Sequence, residues 1–406
     1  MSVVGTDTDI LIAGGGMVGA ALAVALQGTG LRVTVVEAVS PRAPAQPSFD
    51  DRSTALAYSS RRIFEALDVW SSISTNAFPI EHVHVSQQRR LGVTRLHAAE
   101  EDLPALGYVV PNRVIGHALA NAMEHAPHVE FLSPSRVTGV QCNVDRVDVV
   151  LETEGAGHQL AAGLVVVADG AQSPLREMLG IGARNWDYGQ TAIICNLEAS
   201  RPHGNVAYER FTPEGPMALL PLAGKRLALV LVERSAIAGD VMLMDDAAFL
   251  ARVQRRFGDR LGQLTRAGKR VAYPLALVSA ERQIAERAVI LGNAAHSLHP
   301  IAGQGFNLSL RDVAVLAEVI ASHREDPGAA NVLDAYAQWR RQDQRKVVAF
   351  TDLLNRLFGI PFGLAAHARG LGLLGMDLFP GLRREFSRQA MGRAGKLPRL
   401  ARGLPL

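Results

Sequence analysis

Residues 9–13, Asp-Ile-Leu-Ile-Ala, form an unbroken apolar run, the pattern of a strand buried on both faces of a parallel sheet. An Ala- and Leu-rich stretch to about Gln27 predicts a helix that Gly28 and Gly30 end, and residues 32–37 read as a second strand. Strand, helix and strand make one βαβ unit. Residues 51–70 predict a loop leading into a helix with apolar positions at Ile63, Leu67 and Val69. Short alternating strands are expected over 80–97, a helix over 112–125, and strands over 137–141, 147–151 and 164–168, the last ending in Asp169-Gly170. The rhythm then changes. Segments 190–197, 206–211, 217–222 and 227–232 are β-rich and closely spaced, which predicts an antiparallel sheet inserted into the first layer. A helix over 246–257, a buried strand over 288–291, a glycine-rich loop over 299–305, a helix to Ile320 and a mostly helical remainder from Ala329 complete the pattern.

Gly14-x-Gly16-x-x-Gly19 falls between the first strand and its helix, with Glu37 at the end of the second strand. Gly14 permits the tight turn, Gly16 lets backbone approach a pyrophosphate, and Gly19 lets helix pack closely on strand. The N-terminus of the helix that follows these glycines supplies free N–H groups and partial positive charge that suit phosphates. Glu37 can accept hydrogen bonds from a ribose. Strand, glycines, helix, strand and acid agree on a dinucleotide site, but do not say which dinucleotide.

Length and composition narrow the class. At 406 residues the chain predicts two or three domains, and 48% hydrophobic with 20% charged residues is globular rather than disordered or fibrous. Two cysteines, Cys142 and Cys195, make neither a disulfide framework nor a four-thiolate zinc site, and point to a reducing compartment. His296 and His299 lack the carboxylate or thiol cluster that would complete a metal shell, so no metal is expected. The net charge of +3 is unevenly spread, because seven cations against Glu385 alone crowd residues 381–406. Such a tail suits an anionic surface or is a solvated, frayed terminus. No stretch is long and apolar enough for a spanning helix, residues 357–368 included.

The run Gly292-Asn-Ala-Ala-His296, followed by His-Pro-Ile-Ala-Gly-Gln-Gly-Phe-Asn-Leu at 299–308, decides between dinucleotides. It resembles the flavoprotein aromatic hydroxylases, the group that includes para-hydroxybenzoate hydroxylase, over about residues 5–355. Asn293 stands where most of that family has Asp. With Arg311-Asp312, it makes the segment most similar to the ubiquinone-biosynthesis hydroxylases, among them those acting on 2-polyprenyl-6-methoxyphenol.

The resemblance implies a Rossmann-like α/β FAD-binding domain of the discontinuous GR2 type (1–75, 105–182 and 276–325). An antiparallel β-sheet substrate domain (76–104 and 183–275) is inserted in it, and a helical C-terminal region with a basic tail (326–406) follows. It assigns FAD to Gly14, Gly16, Met17, Val18, Gly19, Glu37, Arg52, Arg113, Val137, Asp169, Gly292, Asn293, Gly305, Phe306 and Asn307. It places Arg52, Pro300, Gly303 and Gln304 beside the reacting ring. The implied activity is monooxygenation of a polyprenyl phenol through a flavin C4a-hydroperoxide. It uses molecular oxygen and NAD(P)H or another electron donor. A peripheral place on the inner face of the cytoplasmic membrane follows, with other ubiquinone-biosynthesis proteins and a second copy of the chain as candidate partners, and no nucleic acid. The alternatives are a same-fold hydroxylase of a small soluble aromatic, a flavin-dependent reductase that uses no oxygen, and a non-catalytic nucleotide-binding subunit.

Overall fold

The computed structural model describes residues 7–40, 52–88, 92–297, 303–359 and 379–406. Thr8–Ala13 lies at the centre of a sheet, parallel to Val33–Val36 on one side and to Ala156–Val167 on the other. Val129–Leu132 and Ala288–Ile290 extend the parallel set outward. Strand alternation divides the side chains between two layers. Ile10, Ile12, Val33, Val35, Leu164 and Val166 pack in the cluster that holds the helices Met17–Leu26 and Gln304–Ala321. Leu11, Ala13, Val165 and Val167 pack on the other side with Val137, Val149 and Leu175. Both faces are covered, which is why the first strand reads as a solid apolar run. Because its two neighbours connect in opposite directions, the carboxyl end of this strand opens on a crevice, where ligands of such sheets bind.

The second sheet has nine strands among the described residues. Ala183–Ala199 pairs antiparallel with Arg226–Arg234 and Val271–Ala280, and Gly215–Pro221 joins Arg226–Arg234 to Val206–Thr212. The helix Asp246–Phe257 covers one face through Phe249, Val253 and Phe257. Asp245 caps it, its carboxylate accepting from the Ala248 N–H at 2.7 Å, and Gly258 ends it at φ +90°. The expected antiparallel pattern has one exception, since Val206–Thr212 runs parallel to His82–Gln87. Those two strands come from separate excursions of the chain, so no hairpin dictates their direction.

A third, small sheet of Ser53–Ala57, Gly107–Pro111 and Phe78–Ile80 falls partly where a loop was expected. Ser-Thr-Ala-Leu-Ala has too little alternation to announce a strand, and its partner lies far along the chain.

Beyond Ala330–Gly359, the helix Pro380–Ala390 and the last residues fold back on the body. Met391, Leu400 and Ala401 are buried, Arg62 donates to the Arg402 carbonyl, and the Lys396 ammonium lies 3.8 Å from the Trp339 ring centroid. These contacts overturn the frayed-terminus reading: buried apolar residues and several of the tail's own cations hold it in place. Among the described residues no helix is long and apolar enough to cross a membrane.

Candidate functional site

A cavity of about 1120 Å³ runs from the carboxyl end of the first strand to the inner face of the second sheet. Its first wall is the glycine turn. Gly14 has φ +110°, and a Cβ there would stand 2.4 Å from the Ala168 carbonyl oxygen. A Cβ on Gly19 would meet the Gly14 carbonyl oxygen at 1.9 Å, so helix and turn touch backbone to backbone. Gly16, by contrast, has φ −64°, so its conformation is open to any residue and only close approach by a ligand demands glycine. Gly15, which the motif leaves unassigned, is equally constrained: a Cβ would lie 2.8 Å from Phe131 and 2.9 Å from Glu37.

Glu37 accepts from the Gly15 N–H at 2.7 Å and the Val39 N–H at 2.8 Å, which ties the turn to the end of the second strand. Its two oxygens keep lone pairs for a hydroxyl-bearing ligand. Across the crevice, burial pushes the Asp169 carboxyl up, and its Oδ1 is buried without a hydrogen-bond partner. A buried acceptor with no donor among the described residues fits a ligand that brings hydroxyls.

The second wall begins at Gly303, which caps the helix Gln304–Ala321 in the left-handed region at φ +59°. The first turn of that helix, Gln304 to Asn307, lines the cavity, and its unpaired backbone N–H groups belong to the positive end of the helix. Asn307 holds this turn in place. Its Oδ1 accepts from the Ala57 N–H and Ser60 Oγ, and its Nδ2 donates to the Ala55 and Gly303 carbonyls at 2.8 and 2.7 Å. Arg52 lines the space between the walls, its guanidinium 4.6 Å from the Tyr273 ring centroid.

The FAD binding domain family model matches residues 7–351. The chain belongs to that family. It is 39% identical to the ubiquinone hydroxylase UbiL of Rhodospirillum rubrum, over 98% of this chain and 93% of that protein. It is 34% identical to the 3-demethoxyubiquinol 3-hydroxylase of Escherichia coli, over 95% of this chain and 98% of that protein. Among solved structures, the p-nitrophenol 4-monooxygenase PnpA of Pseudomonas putida DLL-E4 shares the fold, with a TM-score of 0.77 and 19% identity over 97% of this chain and all of that one. The protein is an FAD-dependent monooxygenase of the ubiquinone-hydroxylase kind.

The other residues expected to serve FAD fall unevenly. Met17, Val18, Val137, Gly292 and Asn293 line the cavity, and Gly292 takes φ +63° against Val18. Asn293 is exposed to the cavity side, so its amide can meet a cofactor hydroxyl. Arg113 is off the wall and exposed, while Asn112 lines the cavity and accepts from Thr54 Oγ1 at 2.7 Å. Consecutive helical residues point about 100° apart, so the two cannot share one target. Gln304 reaches the Ala390 carbonyl at 3.4 Å on the C-terminal helix rather than standing free. Pro300 and His299 lie outside the described residues. His296 is buried, its Nε2 2.6 Å from Asp312. Sequence patterns gave no sign of Tyr273 or of the apolar sheet face, because both are assembled from strands far apart in the chain.

Proposed function

We propose that this protein hydroxylates a ring carbon of a polyprenylated phenol in ubiquinone biosynthesis, with 2-polyprenyl-6-methoxyphenol as the substrate pattern. The observation that carries the reading is the continuity of one cavity. The cofactor residues Glu37, Asp169 and Asn293 share it with an apolar sheet wall that includes Ile194, Leu220 and Val230. A small carboxylated aromatic would need cations on that wall, and the cations of the lining, Arg52 and Arg136, lie off the second sheet, whereas a prenyl chain needs hydrocarbon.

In this reading Gly14, Gly16 and the N-terminus of Met17–Leu26 hold the pyrophosphate, and Gly19 lets that helix pack on the turn. Glu37 holds a ribose, Asp169 and Asn293 the polyol chain, and Gly303 with the first turn of Gln304–Ala321 faces the ring system. The bound flavin, once reduced, supplies activated oxygen as an electrophile. The chain's own groups do the rest. Backbone N–H groups from Gln304 to Phe306 would stabilise negative charge on the flavin, Arg52 is held by Tyr273, and the apolar sheet excludes water. The protein also works at a membrane surface. Phe379 and Leu382 are each 61% exposed, and Arg384 and Arg388 are exposed beside them. Apolar insertion with attraction to anionic lipid suffices for reversible attachment.

The test is oxygen uptake by purified, FAD-loaded protein given a reductant and a short-chain 2-prenyl-6-methoxyphenol, with mass analysis of the product. One added oxygen atom on the ring per oxygen molecule consumed is expected. Hydroxylation of a small carboxylated phenol in preference to the prenylated one would refute the substrate assignment. Turnover without oxygen consumption would refute the reaction.

A further inference from the structure

Glu209 is a carboxyl set into an otherwise apolar wall. Ile194, Val230, Ala218, Glu209 and Val85 are successive cross-strand partners in the second sheet. Directly paired residues share a face, and all five line the cavity. Along its own strand, Ala207 and Phe211 stand two residues to either side and also line it. Arg210 instead donates to the Arg256 carbonyl at 2.9 Å. Glu209 has no hydrogen-bond partner among the described residues. The charged side chains of the lining besides Glu209 are Glu37, Arg52, Arg136 and Asp169, none of them from the strands that flank it.

The place is right for substrate. Ala207, about 7 Å along the strand from Glu209, belongs to the apolar cluster that includes Ala55. A Cβ on Gly303 would lie 3.2 Å from the Ala55 Cβ. Glu209 and Gly303, which opens the Gln304–Ala321 helix, thus line the same cavity.

We propose that Glu209 is the polar anchor of the substrate end of the cavity, binding the ring hydroxyl of the phenol and accepting its proton. The proposal rests on the hydroxylase reading above. The phenol O–H bond breaks as a bond forms between the proton and a Glu209 oxygen. The electron pair left on the phenol oxygen raises electron density at the ring carbons ortho and para to it, where the electrophilic oxygen is received. When the hydroxylated ring regains aromaticity, its own hydrogen leaves as a proton to water, and Glu209 returns its proton to the first oxygen. Burial alone pushes the Glu209 carboxyl up to about 8. Against a phenol near 10, an ordinary carboxylate is too weak a base by about 6 units, and the buried one by about 2. Below about pH 8 the neutral carboxyl binds the phenol, and above it the carboxylate takes the proton.

The experiment compares 2-prenylphenol with its methyl ether, bound to oxidised FAD-loaded protein without reductant and measured by equilibrium dialysis. The wild type should prefer the phenol by roughly 5- to 100-fold, the range for leaving a buried polar group unpaired. Glu209→Leu should abolish the preference while retaining FAD and a melting temperature no lower than wild type, since it removes a lone carboxyl from hydrocarbon. The wild-type kcat should rise toward pH 8, and Glu209→Gln should retain the preference but lose that rise. An unchanged preference in Glu209→Leu, or an unchanged pH limb in Glu209→Gln, overturns the inference even if the wild type hydroxylates the phenol. A wild type that hydroxylates no phenol overturns the hydroxylase reading and this inference with it.

Discussion

Asp312 should prove the costliest side chain to remove near the site. It has no exposed surface, and three donors converge on it: His296 Nε2 at 2.6 Å, Gln344 Nε2 at 2.8 Å and Arg340 Nε. Arg340 also reaches Asp343 at 2.7 Å, and Asp343 accepts from Arg311 at 2.9 Å. The network joins the end of the cofactor-side strand region at His296, the cavity helix Gln304–Ala321 and the helix Ala330–Gly359. Breaking a buried ion pair from one side costs about 3–5 kcal/mol, because the cation left behind is poorly solvated. Asp312→Ala should lose that much, which lowers a urea midpoint by about 1–2 M at a slope of about 3 kcal/mol/M. Asp312→Asn keeps the shape and one acceptor, and should lose about 1.5–3 kcal/mol.

Acid gives an independent check. Arg340 and His296 hold the Asp312 carboxyl down at about 2, against an ordinary 3.8. Because the folded value is the lower one, the stabilisation is present above about pH 4 and disappears as pH falls toward 2. Nearly two pH units correspond to about 2 kcal/mol. The stability gap between wild type and Asp312→Asn should therefore close over that window. Denaturant unfolding at several pH values, with flavin fluorescence reporting release, measures both effects. A loss under about 1 kcal/mol in Asp312→Ala, or a gap independent of pH, would refute the reasoning.

Gly14→Ala should release FAD, since a methyl 2.4 Å from the Ala168 oxygen must displace backbone and φ +110° adds about 1–3 kcal/mol of strain; full flavin content after gel filtration would count against it. Asn293→Asp should keep FAD but lower its midpoint potential, because a carboxylate beside the cofactor disfavours anionic reduced flavin; a redox titration showing no change would place Asn293 away from the cofactor. Phe379→Glu combined with Leu382→Glu should abolish flotation with anionic vesicles and leave FAD bound, whereas continued flotation would locate the membrane contact elsewhere.

What the sequence revealed follows the range of the contacts. The βαβ unit was legible because its glycines, apolar strand and acid lie within one continuous stretch, and each constraint is local: turn, helix contact, strand end. The helix expected over 246–257 has those bounds in the structure, where Asp245 caps it and Gly258 ends it. The resemblance reached further, bringing Gly292, Asn293 and the turn from Gly303 to Asn307 to the same cavity as Gly14. It did not separate Arg113 from Asn112, which differ only in the direction a helix turns. It also could not see Glu209 in its row, because Ile194, Val230, Ala218 and Val85 become its neighbours only when five strands have paired. In the sequence, a lone Glu between Tyr208 and Arg210 reads as a solvent-facing strand position.

The C-terminal helix connects the membrane proposal to the cavity, and changes how that proposal has to be tested. Leu382, Phe386 and Ala390 follow one another at four-residue spacing, so they form one stripe on Pro380–Ala390. Leu382 is exposed, while Phe386 and Ala390 line the cavity. The stripe thus runs from solvent to the cavity, with exposed Arg384 and Arg388 flanking it and Arg383 paired to Glu100 at 3.2 Å. Residues 360–378, the larger part of the apolar stretch that precedes it, lie outside the described residues. Deleting everything after residue 356 would be a poor test of membrane attachment. It would also remove Met391, which lines the cavity, and strip Leu400 from the apolar core. Loss of flotation would then be indistinguishable from loss of fold. Charge substitutions at Phe379 and Leu382 alter only the outer end of the stripe. If a prenylated substrate enters along it, those substitutions should raise KM for vesicle-borne substrate while leaving KM for a short-chain, dissolved phenol unchanged. An equal rise for both would mean that the stripe serves the cavity and not the membrane.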